Sequence, residues 1–158
     1  MNTEHLRQFL TESNKIEGIK RPREWMYKEV ENAAYFLKGE TVTIHGLKDL
    51  VRALQPGAKL RDKPGMDVMV GSHFPPRGGP RIAGELETLL DRYLNPNARI
   101  ASPAYIHQWC ESLHPFTDGN GRSGRMLWLW QMVNQGHGYR PEWGFLRHFY
   151  YQSLEHGR

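Results

Sequence analysis

The chain reads HPFTDGNGRSGR from His114 to Arg125, between two segments in which apolar residues recur with helical spacing. The segment before it has this spacing (i, i+3, i+4, i+7) at Ile106, Trp109, Cys110 and Leu113, and the segment after it at Met126, Leu129, Trp130 and Val133. Such stripes are typical of helix faces that pack into a core. The sequence therefore predicts a helix that ends before His114, a short loop, and a second helix that starts near Asn120.

The start of the second helix has the features of an anion site. The first turn of a helix has backbone N–H groups without partners and the positive end of the helix dipole. Gly119 and Gly121 have no Cβ, so a ligand can approach the backbone closely there. Arg122 and Arg125 are three residues apart and share a helix face. Each guanidinium group can donate two parallel hydrogen bonds to the oxygens of one phosphate. These features predict a phosphate-binding site.

Three further side chains in the loop add chemistry to this site. Asp118 is a hard oxygen ligand, and a single carboxylate together with substrate phosphates is a common way to hold Mg²⁺. An unperturbed histidine has a pKa of about 6.5, so His114 suits a general base at neutral pH. Phe116 is an apolar residue that can anchor the loop to the core. The loop as a whole predicts transfer of a phosphate-containing group.

Three other interpretations of this region are weaker. The run from Gly119 to Gly124 fits the dinucleotide pattern G-x-G-x-x-G, but that pattern requires a preceding strand, and the preceding segment has helical spacing. His107, Glu111 and His114 could line one helix of a metal hydrolase, but they do not form an H-E-x-x-H motif. A pI near 9.3 permits a nucleic-acid partner. The aromatic residues, however, fall mainly on apolar helix faces, so no nucleic-acid partner is expected.

The rest of the chain predicts one all-α domain over residues 1–158, with a short β-hairpin as a flap. Apolar stripes of helical spacing recur along the chain, whereas residues 56–80 carry five prolines and five glycines. Within that stretch we expect an exposed hairpin or extended flap over residues 60–75. Its strand-like run consists of Met66, Asp67, Val68, Met69 and Val70.

Composition limits the class of protein. The chain has 158 residues, of which 39% are hydrophobic and 24% are charged. This length and composition are typical of one globular domain. The longest apolar run, Met126 to Trp130, is far shorter than the roughly 20 residues of a membrane helix, so no membrane partner is expected. The first residues resemble no secretion leader, and the single cysteine, Cys110, precludes an internal disulfide. A cytoplasmic protein is the expectation.

From His114 to Arg125 the sequence resembles the Fic family, whose signature H-x-F-x-[DE]-G-N-G-R-x-x-R is matched at every fixed position. The resemblance extends to most of the chain, through the two flanking helices and the upstream flap. It implies a mainly helical fold that transfers AMP from ATP to a hydroxyl side chain of a target protein and releases pyrophosphate. The target residue would be Ser, Thr or Tyr. Self-modification and assembly into a homo-oligomer remain open.

The resemblance also implies a role for each motif residue. His114 would be the base, Asp118 would bind Mg²⁺, and Arg125 would contact the γ-phosphate of ATP. The remaining phosphate contacts would come from Gly119, Asn120, Gly121 and Arg122. Doc-type relatives, which act as kinases, have a bulkier basic residue in place of the second motif glycine, so Gly121 favours AMP transfer. The flap would align the target by strand addition.

A second motif, Ser13-Asn14-Lys15-Ile16-Glu17-Gly18, matches the inhibitory pattern [ST]-x-x-x-E-[GN] of many Fic proteins. Ser13 and Glu17 are four residues apart and share a helix face. The resemblance implies that residues 1–18 form an inhibitory helix and that Glu17 pairs with Arg125. Gly18 also suits an ordinary helix end. Two alternatives to AMP transfer stay open: removal of AMP with Glu17 positioning water, and a nucleotide-binding regulatory module with vestigial transfer.

Overall fold

The computed structural model describes residues 1–156. Within that range the chain forms seven α-helices and one 3-10 turn, Pro141–Trp143. The helices are α1 (Thr3–Ile16), α2 (Arg23–Lys38), α3 (Ile44–Leu54), α4 (Pro80–Tyr93), α5 (Pro103–Leu113), α6 (Asn120–Asn134) and α7 (Gly144–His156). The predicted mainly helical fold is confirmed. In this part of the chain, no helix combines the length and apolar character that crossing a bilayer requires.

Helix α6 is the centre of the fold. It packs against α1, α2, α3 and α5, and most of its length is buried, including Trp128 and Trp130. A helix buried around its whole circumference lies inside a core rather than on its surface. The indole N–H groups of the two tryptophans donate to Gln152 Oε1 and to the Gly39 carbonyl. The loop of residues 114–119, called the motif loop below, leads into the N-terminus of this buried helix.

Helix α1 is part of the same core. It buries Leu6, Phe9 and Leu10, and the Phe9 ring stacks on Trp128 with 6.1 Å between the ring centroids. Its Glu12 carboxylate accepts hydrogen bonds from the backbone N–H groups of Phe145 and Leu146, each at 3.1 Å. Because those N–H groups belong to the first turn of α7, Glu12 satisfies a helix end and places a negative charge at the positive end of its dipole. Helix α1 is thus joined to both α6 and α7.

The segment between α3 and α4 differs from the prediction. The predicted hairpin over residues 60–75 is not confirmed, because no strand forms there among the described residues. The one pairing inside this stretch of the described chain is an isolated bridge between Val70 and His73. The five residues predicted to form a strand lie in loop conformation and are partly or fully exposed: Met66, Asp67, Val68, Met69 and Val70.

Two features of the segment explain why no ladder forms. Pro64, Pro75 and Pro76 have no backbone N–H to donate to a neighbouring strand. In addition, the carbonyls of Met66 and Pro76 accept hydrogen bonds from the guanidinium group of Arg61. The backbone groups of this segment are therefore partly satisfied by one buried side chain instead of by a second strand.

Candidate active site

The motif loop joins the C-terminus of α5 to the N-terminus of α6. His114 is the C-cap of α5 in the left-handed conformation, with φ 50° and ψ 62°, and its N–H donates to the Cys110 carbonyl at 2.8 Å. A residue other than glycine is uncommon there, and such backbone geometry often accompanies a functional position. Since α5 rather than a strand precedes the loop, the G-x-G-x-x-G run does not form a dinucleotide-binding βαβ unit.

The imidazole of His114 is suited to accept a proton. Its ring is half-buried, with Nδ1 on the buried side. Burial lowers the pKa of His114 below its usual value, and the positive charge of Arg61 lowers it further. A lowered pKa keeps the ring neutral at pH 7, which is the form that a general base requires.

Asn120 and Phe116 fix the shape of the loop. The Asn120 side chain accepts from the Phe116 N–H at 2.9 Å and donates to the Phe116 carbonyl at 2.8 Å. Phe116 is 1% exposed and pairs with Leu60 in an isolated bridge. The Asn120 amide therefore bonds to the backbone of the loop. Its phosphate contact, which the family resemblance implies, stays a prediction.

Two glycines lie at the N-terminus of α6, and a different constraint excludes a side chain at each of them. Gly119 has φ +76°, and a Cβ there would lie 3.3 Å from the Cβ of Gln55. At Gly121, a Cβ would lie 2.2 Å from Glu17 Oε1 and 3.1 Å from Arg125 Nη1. A side chain is thus strained at the first position and collides at the second. The first-turn N–H groups of α6 have no acceptor within the helix, so the backbone can donate to an anion there.

Asp118 lies at the surface of the loop. Its Oδ1 accepts from the Gly119 N–H at 2.7 Å, and no hydrogen bond from the described residues reaches its Oδ2. An exposed carboxylate with an uncommitted oxygen beside an anion site fits the way in which Mg²⁺ is shared between protein and phosphates. The residues therefore fit the metal that the motif implies, and its binding by Asp118 stays a prediction.

Arg125 is the most constrained cation of the site. Its Nε donates to Ser13 Oγ at 2.7 Å, and its Nη2 donates to the Ser13 carbonyl at 3.0 Å and to Glu17 Oε1 at 2.8 Å. The Arg125 side chain is 5% exposed and that of Glu17 is 39% exposed. Gly18, with φ +70°, ends α1 directly after this pair. The structure thus brings Ser13 and Glu17 to Arg125 across more than a hundred residues of sequence.

Arg122 is placed differently from Arg125. It is 3% exposed, and its terminal nitrogens donate to the Leu54 carbonyl at 2.7 Å and to Gln55 Oε1 at 2.5 Å. Burial lowers its pKa. In this conformation Arg122 fastens the end of α3 to α6, and its phosphate contact stays a prediction.

The metal-hydrolase alternative finds no support in the arrangement of α5. The His107 ring lies against Phe145 and Phe149 at centroid distances of 5.5 and 5.1 Å, and burial lowers its pKa to about 4. Glu111 is partly buried, and burial raises its pKa. Across residues 1–156, no group of three or more His, Cys, Asp or Glu side chains could hold a metal ion.

Arg61 is the residue near the motif that sequence reasoning missed. It is 0% exposed, and its guanidinium group donates to four backbone carbonyls, two of which belong to Leu113 and His114. An isolated arginine in a stretch rich in proline and glycine has no periodicity that would mark it as buried. No acidic residue lies three or four positions from Arg61, so the sequence does not indicate an ion pair for it either.

Comparison with known proteins supplies the family. No curated protein matches the chain. The model of the Fic/DOC family matches residues 35–132, which is more than half of the chain and includes the whole motif loop together with α3 to α5 and most of α6. Helix α1 lies outside the matched range. The chain belongs to the Fic/DOC family.

Proposed function

We propose that this protein is an adenylyltransferase that transfers AMP from ATP to a hydroxyl side chain of a target protein. The observation that carries the proposal is the position of His114. Its half-buried imidazole, whose pKa burial lowers, lies at the end of α5, one short loop from the glycine-bounded N-terminus of α6. A base and an anion site in this order are what a hydroxyl group needs to attack a bound phosphate.

In the proposed step, His114 accepts the proton of the target hydroxyl. The hydroxyl oxygen forms a bond to the α-phosphorus of ATP, the bond from that phosphorus to the bridging oxygen breaks, and the electron pair leaves on pyrophosphate. The proton stays on the imidazole until solvent removes it. The backbone N–H groups at the start of α6 would bind the phosphates, and Asp118 would hold Mg²⁺, which supplies positive charge against the developing negative charge.

We further propose that α1 inhibits this transfer. Arg125 would contact the γ-phosphate of ATP, and its pairing with Ser13 and Glu17 supports the idea that this contact is withheld. An ATP molecule without its γ-phosphate contact would bind in a pose that does not align the α-phosphorus for in-line attack. The charge-assisted bond to Glu17 is the part of the pairing that a single substitution can remove.

Gly121 supports AMP transfer over phosphate transfer by a geometric argument. A Cβ at this position would lie 2.2 Å from Glu17 Oε1, which is closer than any contact between nonbonded atoms. A bulky basic residue there, as in Doc-type proteins, could not coexist with Glu17 in its present position. In this chain the present position of Glu17 therefore requires a residue without a side chain at position 121.

The test uses ATP that carries its label on either the α- or the γ-phosphate, incubated with Mg²⁺, the protein and cell lysate. Relative to lysate without the protein, whose own kinases transfer the γ-phosphate, the proposal expects added label on protein from the α-phosphate alone and its loss in the His114→Ala variant. Added label from the γ-phosphate would indicate phosphate transfer instead. Loss of AMP from an already modified protein would favour the removal reaction. No transfer and no removal would favour a regulatory nucleotide-binding module.

A further inference from the structure

Arg61 is a fully buried cation that makes no ion pair among the described residues. Its Nε donates to the His114 carbonyl at 2.7 Å and its Nη2 to the Leu113 carbonyl at 3.0 Å. Its Nη1 donates to the carbonyls of Met66 and Pro76, at 2.9 and 3.0 Å. All three guanidinium nitrogens are thus used, and every acceptor is a backbone carbonyl.

Two of these carbonyls belong to the C-terminus of α5. The last carbonyls of a helix have no partner within it and carry the negative end of the dipole, so a cation there is favourable. One of the two is the carbonyl of His114 itself, whose left-handed backbone directs the chain from α5 into the motif loop. Arg61 therefore bonds directly to the residue that presents the proposed base.

The other two carbonyls belong to the segment between α3 and α4. Asp67 Oδ1 accepts from the Gly78 N–H at 2.9 Å, which joins the two halves of this segment. A Cβ at Gly78 would lie 2.5 Å from the Met66 oxygen, so the two halves are in close backbone contact. With no β ladder present, the Arg61 guanidinium bonds both halves to the end of α5, where a ring nitrogen of His73 also contacts the Ser112 carbonyl at 3.2 Å.

The backbone of Arg61 strengthens the same junction. Its N–H donates to the Pro115 carbonyl and its own carbonyl accepts from the Gly79 N–H, each at 2.9 Å. Two residues earlier, the Lys59 carbonyl accepts from the Thr117 N–H at 2.8 Å. The chain around Arg61 is therefore bonded to the motif loop along several residues, and the guanidinium lies at the centre of those bonds.

We propose that Arg61 is a positioning residue for catalysis: it fixes the backbone of His114 and holds the segment from Met66 to Pro76 against the motif loop. The proposal rests on the proposed function, in which His114 accepts a proton from the target. Lysine could not replace the arrangement fully, because its single ammonium has three donors at one point, whereas the planar guanidinium spreads five donors over two sides.

The experiment compares Arg61→Met, Arg61→Lys and the control Arg77→Met, in the full chain and in its Glu17→Gly variant. Arg77 lies in the same segment, is exposed, and makes no hydrogen bond or ion pair among the described residues. Three quantities are measured for each variant: kcat for AMP transfer, the Kd of Mg·ATP, and amide hydrogen exchange of residues 113–117. The last does not depend on turnover. Circular dichroism establishes that each variant is folded.

Arg61→Met is expected to lower kcat by about 10- to 100-fold, the effect of a misplacement of about 1 Å. The Kd of Mg·ATP should change by less than about 3-fold, because the anion site on α6 is formed by other residues. Exchange of residues 113–117 should accelerate while that of α6 does not. Arg61→Lys should recover part of kcat, and Arg77→Met should match its parent in all three measurements.

A folded Arg61→Met protein with unchanged kcat and unchanged exchange at residues 113–117 would overturn the proposal. If that variant does not fold, Arg61→Lys decides: parental kcat and exchange in that protein would equally overturn it. If the parent transfers no AMP, the proposed function fails on its own. Faster exchange at residues 113–117 in the Arg61 variants, and not in Arg77→Met, would then still support the positioning role.

Discussion

Replacing Glu17 by glycine is the sharpest perturbation that the structure offers. The substitution removes the carboxylate that accepts from Arg125 Nη2 at 2.8 Å and leaves in place both hydrogen bonds that Arg125 donates to Ser13. It therefore isolates one charge-assisted contact. Arg125 should then keep only its two bonds to Ser13 and turn more readily towards the γ-phosphate once ATP is bound.

The expected change in the rate of AMP transfer follows from how exposed the pair of Glu17 and Arg125 is. A hydrogen bond between charged groups contributes about 1.5–3 kcal/mol. Glu17 is 39% exposed, and solvent screening reduces the contribution of a pair at the surface. A value of about 1–2 kcal/mol is therefore expected. At about 1.4 kcal/mol per decade, the rate of AMP transfer should rise by about 5- to 30-fold.

The assay measures AMP transfer to one target at one Mg·ATP concentration for four proteins. Beside the parent and Glu17→Gly, the double variant Glu17→Gly with Arg125→Ala should lose the gain, because the freed contact is then missing. Lys15→Gly is the matched control: it introduces glycine into the same exposed helix end and does not touch Arg125. Equal rates in the parent and in Glu17→Gly, or an equal gain in Lys15→Gly, would refute the inhibitory role of Glu17.

Three further predictions concern the site and its surroundings. His114→Ala should lower transfer by about two to four decades while the Kd of Mg·ATP stays near that of the parent, as equilibrium binding and single-turnover kinetics would measure. Asp118→Ala should lose metal-dependent transfer, and EDTA should silence the parent; full activity in EDTA would argue against the Mg²⁺ role. Burial lowers the pKa of His107 from 6.5 to about 4, so the unfolded chain binds a proton that the folded chain does not. The free energy of unfolding should thus fall by about 3 kcal/mol as the pH drops from 6.5 to 4. Urea titrations should show a smaller decline for His107→Gln.

The periodicity of apolar residues was sufficient to predict the helices on both sides of the motif. It works there because α5 and α6 bury the residues that their stripes mark, such as Ile106 and Met126. Periodicity did not predict that α6 is surrounded on all sides, since polar residues such as Gln131 and Ser123 are buried with the apolar ones. Their burial depends on neighbours that are distant in sequence.

The roles of the motif side chains were harder to predict than their presence. Asn120 and Arg122 were expected to hold phosphate, yet in the folded chain both are engaged by backbone oxygens, those of Phe116 and Leu54. A motif specifies residue types, whereas hydrogen-bond partners depend on which carbonyls the fold leaves unsatisfied nearby. The predicted hairpin is not confirmed for the same reason, because the strand-like run from Met66 to Val70 does not reveal that Arg61 donates to the Met66 and Pro76 carbonyls.

The way in which α1 enters the core determines how the proposed inhibition could be relieved. Phe9 stacks on Trp128, and Glu12 caps α7. Helix α1 is therefore part of the hydrophobic core and not a segment that packs only on the surface of the fold. Cutting it away would remove Leu6, Phe9 and Leu10 and expose the core that they cover, including Trp128, so the resulting protein would be misfolded before it was active. Natural relief should therefore be a movement of the last turn, around Ser13 and Glu17, that leaves the first turns seated. A protein without α1 would therefore test folding, whereas side-chain substitutions at Ser13 or Glu17 would test the proposed inhibition of AMP transfer.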